Sequence, residues 1–406
     1  MRRYDSYKES SIHWVGKIPQ EWGESRVKQY FFERNEKVSD IDYPPLSVTK
    51  SGILPQLDNV AKSDNHNDRK RVCHNDFVIN SRSDRKGSSG LSELEGSVSL
   101  INIVLKPKNI FPKFSEYLFK SKDFVEEFFR NGKGIHWDLW STRYSELQNI
   151  KIPIPPLSEQ QQIVSFLDTK TSLIDSFIEK TQRKIELLKE KRTSLINEVV
   201  TKGLNPNVEI KDSGVEWIGE IPSHWNLSLV GRHFEIGRGR VISKVEIGDN
   251  KGDYPVYSSQ TSNNGELGRI NTYDFDGEYV TWTTDGANTG TCFFRSGKFN
   301  TTNVCGMLSL RNTPYSLPFL SYYLNQVTKP YVRIDINPKL MNNMMSEIPL
   351  VIPPLPEQQQ IVEYLDKQTQ LIDKTISIEE KRIELLKEYR QSLISEVVTG
   401  KRKVVD

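Results

Sequence analysis

The chain has 406 residues, enough for about two to four domains, and its 36% hydrophobic and 27% charged residues are a soluble, globular balance. No apolar run approaches the ~18 residues of a membrane span, and no charged, apolar and small leader opens the chain, so spanning and secretion are not expected. Cys73, Cys292 and Cys305 fit neither a disulfide framework nor a metal-ligand spacing and read as reduced thiols of a cytoplasmic protein; with a net charge of only +2, any nucleic-acid surface must concentrate its positive charge locally.

Residues 1 to 153 carry short β-branched and aromatic runs cut by Gly, Asn, Asp and Ser. The runs at 76–80 and 98–105 predict strands, and a helical stretch follows at 114–129. Pro155-Pro156 then blocks backward extension of a helix, and Ser158 with Gln161 predicts a capping box at its start. Residues 158 to 201 contain neither Pro nor Gly. One heptad position holds Thr171, Ile178, Ile185, Arg192 and Val199, and the other Leu167, Ile174, Thr181, Leu188 and Leu195. Two such narrow stripes suit a coiled-coil seam, and about 44 residues at ~1.5 Å each make a rod of roughly 66 Å. Arg is unusual in a seam; Arg192 and its counterpart Arg390 either snorkel, pair with a carboxylate or face a docked partner. Lys202-Gly203, with Pro206 beyond, stops the rod.

Residues 206 to 351 repeat the plan, with a strand at 277–282 and a helix at 317–326. The repetition is literal in places. Ile154-Pro155-Pro156-Leu157-Ser158-Glu159-Gln160-Gln161-Gln162-Ile163-Val164 returns 198 residues later as Ile352-Pro353-Pro354-Leu355-Pro356-Glu357-Gln358-Gln359-Gln360-Ile361-Val362. The second copy has Pro356 in place of Ser158 and therefore no cap oxygen. Trp14-Val15-Gly16-Lys17-Ile18-Pro19 with Trp22 returns 203 residues later as Trp217-Ile218-Gly219-Glu220-Ile221-Pro222 with Trp225. Trp14 and Trp217 are expected to anchor each domain to the rods, with a base-stacking platform as the alternative. The chain is a tandem duplication of a mixed α+β domain followed by a rod. If the seams pack together, the rods run antiparallel, giving a pseudo-twofold dumbbell whose C-terminus returns close to the first domain.

No catalytic centre stands out. Gly237-Arg238-Gly239 is too short for a dinucleotide loop, and no phosphate-cradling Gly-Lys-Ser/Thr sequence occurs. Asp42-Tyr43-Pro44-Pro45 has the wrong residue order for an amino-methyltransferase motif and reads as a polar turn. His13, His66, His74, His136, His224 and His233 are scattered without metal-ligand spacing. What remains is binding chemistry. Lys62, Arg69, Lys70 and Arg71 lead into Asn80, Arg82, Arg85 and Lys86, cations and amides followed by the permissive glycines Gly87 and Gly90. Arg and Lys read guanine edges or neutralise phosphate, and Asn and Gln read adenine; a solvated charged loop is the alternative. In the second half Ser259, Gln260, Asn263 and Asn264, then Thr284 and Asn288, form polar loops. Arg238, Arg240, Lys298 and Asn300 lie nearby, and ordinary strand turns compete with a binding role. The unlike loops suggest an asymmetric target.

The Ile-Pro-Pro-Leu-x-Glu-Gln-Gln-x-Ile-Val sequence before each rod and the Trp-x-Gly-x-Ile-Pro-x-x-Trp head of each half resemble the DNA-specificity subunit of type I restriction–modification systems, over essentially the whole chain. The resemblance implies an α+β fold of two mixed α/β target-recognition domains separated by two long antiparallel coiled-coil helices, pseudo-twofold from the internal duplication. The implied division is a target-recognition domain at 1–155, a helical spacer at 156–205, a second recognition domain at 206–353 and a second spacer at 354–406. The implied partners are double-stranded DNA, two methyltransferase subunits and, through the complex, restriction motor–nuclease subunits. This chain would bind no cofactor of its own. S-adenosylmethionine, ATP and Mg would belong to those partners, and no membrane would be involved.

Overall fold

The computed structural model describes residues 3–56, 68–134, 140–311, 313–334 and 337–404. The chain divides into two compact units, one of residues 1–182 with 381–406 and the other of residues 183–380. Each unit holds one mixed domain and one half of each rod helix. The linear reading draws its boundaries at the rod ends, whereas in space each rod half belongs with the domain it packs against.

Both domains are built on the same four antiparallel strands. In the first unit Ser89–Leu91, Phe77–Asn80, Asn102–Pro107 and Phe31–Glu33 lie side by side in that order. In the second, Cys292–Thr301, Phe275–Thr283, Cys305–Leu310 and Phe234–Arg238 repeat the order. The register is preserved as well. Asn80 faces Asn102 and Phe77 faces Leu105, as Thr283 faces Cys305 and Val280 faces Leu308, every residue displaced by the 203 that separates the tryptophan motifs. Helices close one face of each sheet. The expected single helix at 114–129 is two, Pro112–Lys120 and Lys122–Arg130, because Ser121 ends the first and caps the second through Phe124 N. Phe31, Phe77, Phe119 and Phe124 fill the space beneath them. Trp282, Phe319 and Tyr323 do so under Leu317–Val327 in the second unit. The predicted run at 98–105 likewise breaks, into Gly96–Ser99 and Asn102–Pro107.

The domains differ in what lies between the first two core strands. The first domain inserts the strands Lys37–Val38, Leu46–Thr49, Gly52–Pro55 and Arg69–Val72 in small separate sheets. The second inserts the helix Lys244–Asp249 and the strands Lys251–Tyr257 and Glu266–Ile270, which extend its core sheet to six strands.

The rods run from Leu157 to Lys202 and from Leu355 to Val398. The first begins two residues earlier than the predicted capping box requires. Gln160 N bonds to Pro156 O at 2.9 Å, so Ser158 lies inside the first turn and is not the cap. The motif glutamines fix the start instead. Gln160 accepts from Phe111 N and donates to Pro155 O, both at 2.8 Å, and Gln358 accepts from Ser316 N and donates to Pro353 O at the same distances. Both are about 1% exposed, where an unmet backbone group would cost about 1–3 kcal/mol. The adjacent carboxylates take the indole protons of the tryptophan motifs, Trp22 to Glu159 at 3.0 Å and Trp225 to Glu357 at 3.1 Å. The two repeated sequence motifs thus hold each other, and Trp22 and Trp225 are fully buried. The first tryptophan of each motif is less alike: Trp14 donates to Lys151 O, while Trp217 packs edge-on against Tyr331.

About two turns further along, Tyr117 donates to Asp168 and Tyr322 to Asp366, each at 2.6 Å. Burial and then the carboxylate push the Tyr322 phenol up to about 12 and hold that of Tyr117 well above the usual range. Within each unit the helices are antiparallel. In the first, Leu167 and Ile174 share a core with Leu393, Ile394 and Val397; in the second, Ile196, Val199 and Val200 share one with Ile361 and Leu365. The seam arginines pair with carboxylates, Arg192 with Asp373 and Arg390 with Asp175, each at 2.9 Å. Gly203 and Gly400, both at positive φ, end the rods against the domains. A Cβ on Gly203 would meet Trp225 at 3.2 Å, and one on Gly400 would meet Pro19 at 2.3 Å and Trp22 at 3.1 Å.

Candidate nucleic-acid interface

The two loops singled out by composition occupy one structural position. In the first domain the chain leaves strand Phe77–Asn80, turns through residues 81–87 and returns in Ser89–Leu91. Asn80 N bonds to Ser88 O at 2.9 Å across the base. A second segment staples the loop from the side, with Thr142 N on Ser81 O at 3.0 Å and Ser83 N on Trp140 O at 3.1 Å. In the second domain Thr283 N bonds to Thr291 O at 3.0 Å, Leu340 N to Thr284 O at 3.0 Å and Gly286 N to Pro338 O at 3.2 Å. Each loop closes on a left-handed glycine, Gly87 at φ +78° and Gly290 at φ +86°, a conformation L-residues rarely adopt. The shift of 203 aligns them residue for residue, Arg82 on Asp285, Arg85 on Asn288 and Lys86 on Thr289. Composition alone hides this, because only the closing glycine is shared.

The chemistry on the shared staple differs. Arg82 and Arg85 are exposed around Asp84, at 2.9 and 3.8 Å. Lys86 reaches Glu126 at 2.6 Å and lies 4.3 Å from the centre of the Phe129 ring. Asn80 is turned to the backbone, accepting from Arg82 N at 3.1 Å. The loop therefore presents two exposed guanidinium groups. On the second loop Asn288 is exposed, while Thr284 is fully buried and its hydroxyl donates to Asp285.

In the second unit the other candidates gather around the turn between Thr301 and Cys305. Thr284 N bonds to Val304 O at 3.1 Å, Thr302 bonds to Ser258 Oγ at 3.1 Å, and Gly239 N bonds to Cys305 O at 3.3 Å. This turn ties together the Arg238–Arg240 segment, the 258–265 loop and the 284–290 loop. Arg238 is exposed against Met341, but Arg240 is held by Glu246 at 2.7 Å and Asp274 at 2.9 Å. Gln260 donates to Glu266 O and closes its loop. Ser259 is half-buried, and Asn263 and Asn264 are exposed with φ of +48° and +52°. Lys298 is exposed, 4.3 Å from the Tyr273 ring centre.

Several expected contacts are instead structural. Arg69 is buried, with Nε on Ser97 Oγ at 2.8 Å and Nη2 on Ser97 O at 3.2 Å, because it points inward from its strand. Lys70 is drawn to Glu33 at 2.9 Å and Arg71 to Glu36 at 2.9 Å. The triplet is spent inside its own domain and makes no basic patch. Asn300 and Thr284 are fully buried, and Asn300 donates to Thr272 O. Lys62 lies outside the described residues, as do His66 and His136. His13 and His224 bond to Glu127 and Glu357. Among the described residues no group of His, Cys, Asp and Glu is placed to hold a metal, and no helix is long and apolar enough to cross a membrane.

One residue absent from the sequence-based candidates, Arg295, lies under the second domain's loops. It is 4% exposed, its guanidinium carbon 3.6 Å from the Tyr257 ring centre and 4.5 Å from that of Phe293. Its importance depends on the strand Lys251–Tyr257, an insertion with no counterpart in the first half, so no repeat or motif marks it.

The family described as type I restriction modification DNA specificity domain matches residues 23–189 and again residues 222–388. The chain belongs to that family. Each matched stretch takes in one four-strand core, one stapled loop and the start of one rod, so the duplication seen in the fold is a duplication of the family domain. The chain is 38% identical over 220 residues to a putative type I specificity subunit of Mycoplasma pneumoniae, covering 54% of this chain and 81% of that protein. To the type I restriction enzyme MpnII specificity subunit of the same organism it is 47% identical over 132 residues, 32% of this chain and 40% of that one. Its fold is similar to that of a chain from a type I restriction–modification system, with TM-score 0.73, 17% identity and 94% and 98% of the two chains covered. It is similar also to the HsdS subunit of Thermoanaerobacter tengcongensis, with TM-score 0.58, 16% identity and coverage of 95% and 98%. Family membership makes the chain a DNA-specificity subunit of the type I restriction–modification kind, a non-catalytic role.

Proposed function

We propose that the chain reads a bipartite, asymmetric double-stranded DNA target, one half-site for each domain. The carrying observation is the pair of loops that share every staple and differ in side chains. Arg82, Arg85 and Lys86 would read or clamp the first half-site. Asn288, Asn263, Asn264, Gln260, Ser259, Arg238 and Lys298 supply the amides, hydroxyls and cations for the second. Asn80 sets the turn that presents Arg82. The recognition domains are residues 1–155 and 206–353, with the helical spacers at 156–205 and 354–406 between and after them.

The spacers dock two methyltransferase subunits. Outside the seam, Leu371, Ile378 and Leu385 stand one heptad apart on the second rod and are 61%, 59% and 53% exposed. Leu173 and Leu187 occupy the same heptad position on the first rod and are about half exposed. Such an apolar stripe on a helix suits burial against a partner. S-adenosylmethionine, ATP and Mg reside on the methyltransferase and motor–nuclease subunits, and the assembly works in the cytoplasm. The test is methylation-aware sequencing of DNA from cells expressing this chain with its methyltransferase. The expected result is one interrupted motif with two unlike half-sites. An unmodified genome, or a single uninterrupted motif, overturns the reading.

A further inference from the structure

Arg295 is a buried cation without a carboxylate among the described residues within ion-pair reach; the nearby Glu266 is taken by Arg269 at 2.8 Å. Its Nη1 is buried without a hydrogen-bond partner. An unpaired buried charge is expensive, so its position calls for a compensating role. Its two bonded nitrogens tie a loop to the core sheet. Nε donates to Thr281 Oγ1 at 3.2 Å on the central strand, and Nη2 donates to Asn264 O at 2.8 Å. The guanidinium plane is wedged between Tyr257 and Phe293. Directly above it the backbone makes three consecutive left-handed residues, Asn263, Asn264 and Gly265, with φ of +48°, +52° and +78°. Two non-glycine residues in that region are strained, and such a turn persists only if something holds it. Ser258 N on Gly265 O at 3.0 Å holds one end. Arg295 holds the centre, and a Cβ on Gly265 would come within 3.0 Å of its Nη2.

We propose that Arg295 is a positioning residue for sequence discrimination. It acts as a pedestal that fixes the Asn263-Asn264 turn so that two exposed amides read bases in the half-site of the second domain. This rests on the DNA-reading function proposed above. Two observations direct it to that half-site: the 258–265 loop hangs on the same Thr301–Cys305 turn as the stapled loop, and asparagine is the side chain that pairs two-pointed with adenine. The amides carry the discrimination, and the guanidinium acts through them.

The experiment uses the full chain with its methyltransferase subunit and a library of randomised half-sites, scored by methylation-aware sequencing. Thermal melting of each variant is recorded alongside. Asn263→Gly with Asn264→Gly keeps the left-handed turn and removes both amides. Its expected effect is a loss of about tenfold or more in discrimination at one or two base positions of one half-site, with the other half-site and the melting temperature unchanged. Arg295→Met should relax the same positions, and Arg295→Lys should fail to restore them, since an ammonium cannot lie flat between two rings and donate at two points. If the glycine pair retains wild-type discrimination, the proposal is overturned whatever Arg295→Met does. It is equally overturned if Arg295→Met folds and discriminates normally, or relaxes a different set of positions. A wild-type chain that directs no sequence-selective methylation removes the DNA-reading function itself and the pedestal with it. Selective methylation by the wild type with unaffected variants removes the pedestal alone.

Discussion

The ties that hold each domain to its rods and the loops that face outward have fared differently since the duplication. Glu159 and Glu357 take an indole proton at 3.0 and 3.1 Å, and Gln160 and Gln358 make the same two bonds at 2.8 Å. The stapled loops keep their backbone bonds equally well, yet place Arg82 opposite Asp285 and Arg85 opposite Asn288. The difference follows from where the hydrogen bonds end. A buried side chain that satisfies a backbone group cannot change without leaving that group unpaired. A loop fixed by its own backbone leaves its side chains free to vary. Recognition can therefore diverge on a frame that does not.

The severest test of this equivalence is at the tryptophans. Trp225→Ala should lower the stability of the second unit by about 3–5 kcal/mol, read as lost hydrogen-exchange protection in that unit. Trp22→Ala should do the same to the first. Neither carboxylate is stranded, because Glu159 keeps Tyr4 and Glu357 keeps His224. The two losses should thus agree to within about 1 kcal/mol, a cavity without an orphaned charge in each. A severe loss in one unit and a trivial one in the other would break the comparison at its strongest point.

Next in size, Gln358→Ala removes the partners of Ser316 N and Pro353 O and should cost about 1–3 kcal/mol. Gln160→Ala should match it. Gln359→Ala, exposed one position on, should change stability by less than about 0.5 kcal/mol. Equal effects at 358 and 359 would show that the buried bonds do not set the rod start.

On the loops the comparison inverts. Arg82→Ala with Arg85→Ala should weaken DNA binding by the assembled complex by roughly tenfold or more while leaving melting unaffected. The half-site read by the second domain should be unchanged. If the pair contacts phosphates, the salt slope of binding should fall by about 0.9 per contact with sequence preference intact. Loss of selectivity in both half-sites would disprove a separate reading by each domain.

How much of this was legible follows the same division. The rods, their seam and the duplication rest on periodicity and repetition, which a sequence displays directly; Thr171, Ile185 and Val199 are buried in the first rod as Thr369, Ile383 and Val397 are in the second. The motif residues were visible, but their partners were not, since Phe111 N and Ser316 N offer no side-chain signal. Arg69 looked like Arg82 because both are arginines beside a strand. Arg69 lies in a strand and its register, concealed by the surrounding polar residues, turns it inward to Ser97, whereas Arg82 stands exposed on the loop after one. The equivalence of the loops could have been found by carrying the tryptophan shift of 203 through to Gly87 and Gly290.

The smallest effect concerns the seam. Arg192 makes two hydrogen bonds to Asp373, the second at 3.2 Å, and Arg390 makes one to Asp175 at 3.1 Å beside a 2.9 Å Nε–Oδ1 ion-pair contact. The arginines are about a third exposed and the aspartates half exposed, so solvent screens both pairs and each should contribute only ~0.2–1 kcal/mol. A double-mutant cycle of Arg192→Met and Asp373→Asn measures the coupling free of the cost of each single change. The matching cycle with Arg390→Met and Asp175→Asn should return the same value. Both should shrink as salt rises from 0.05 to about 0.5 M, because the Debye length falls below the side-chain dimensions. A coupling of several kcal/mol that ignores salt in one pair would mean that this arginine is desolvated and fixes the register of its helices, a role its exposure argues against.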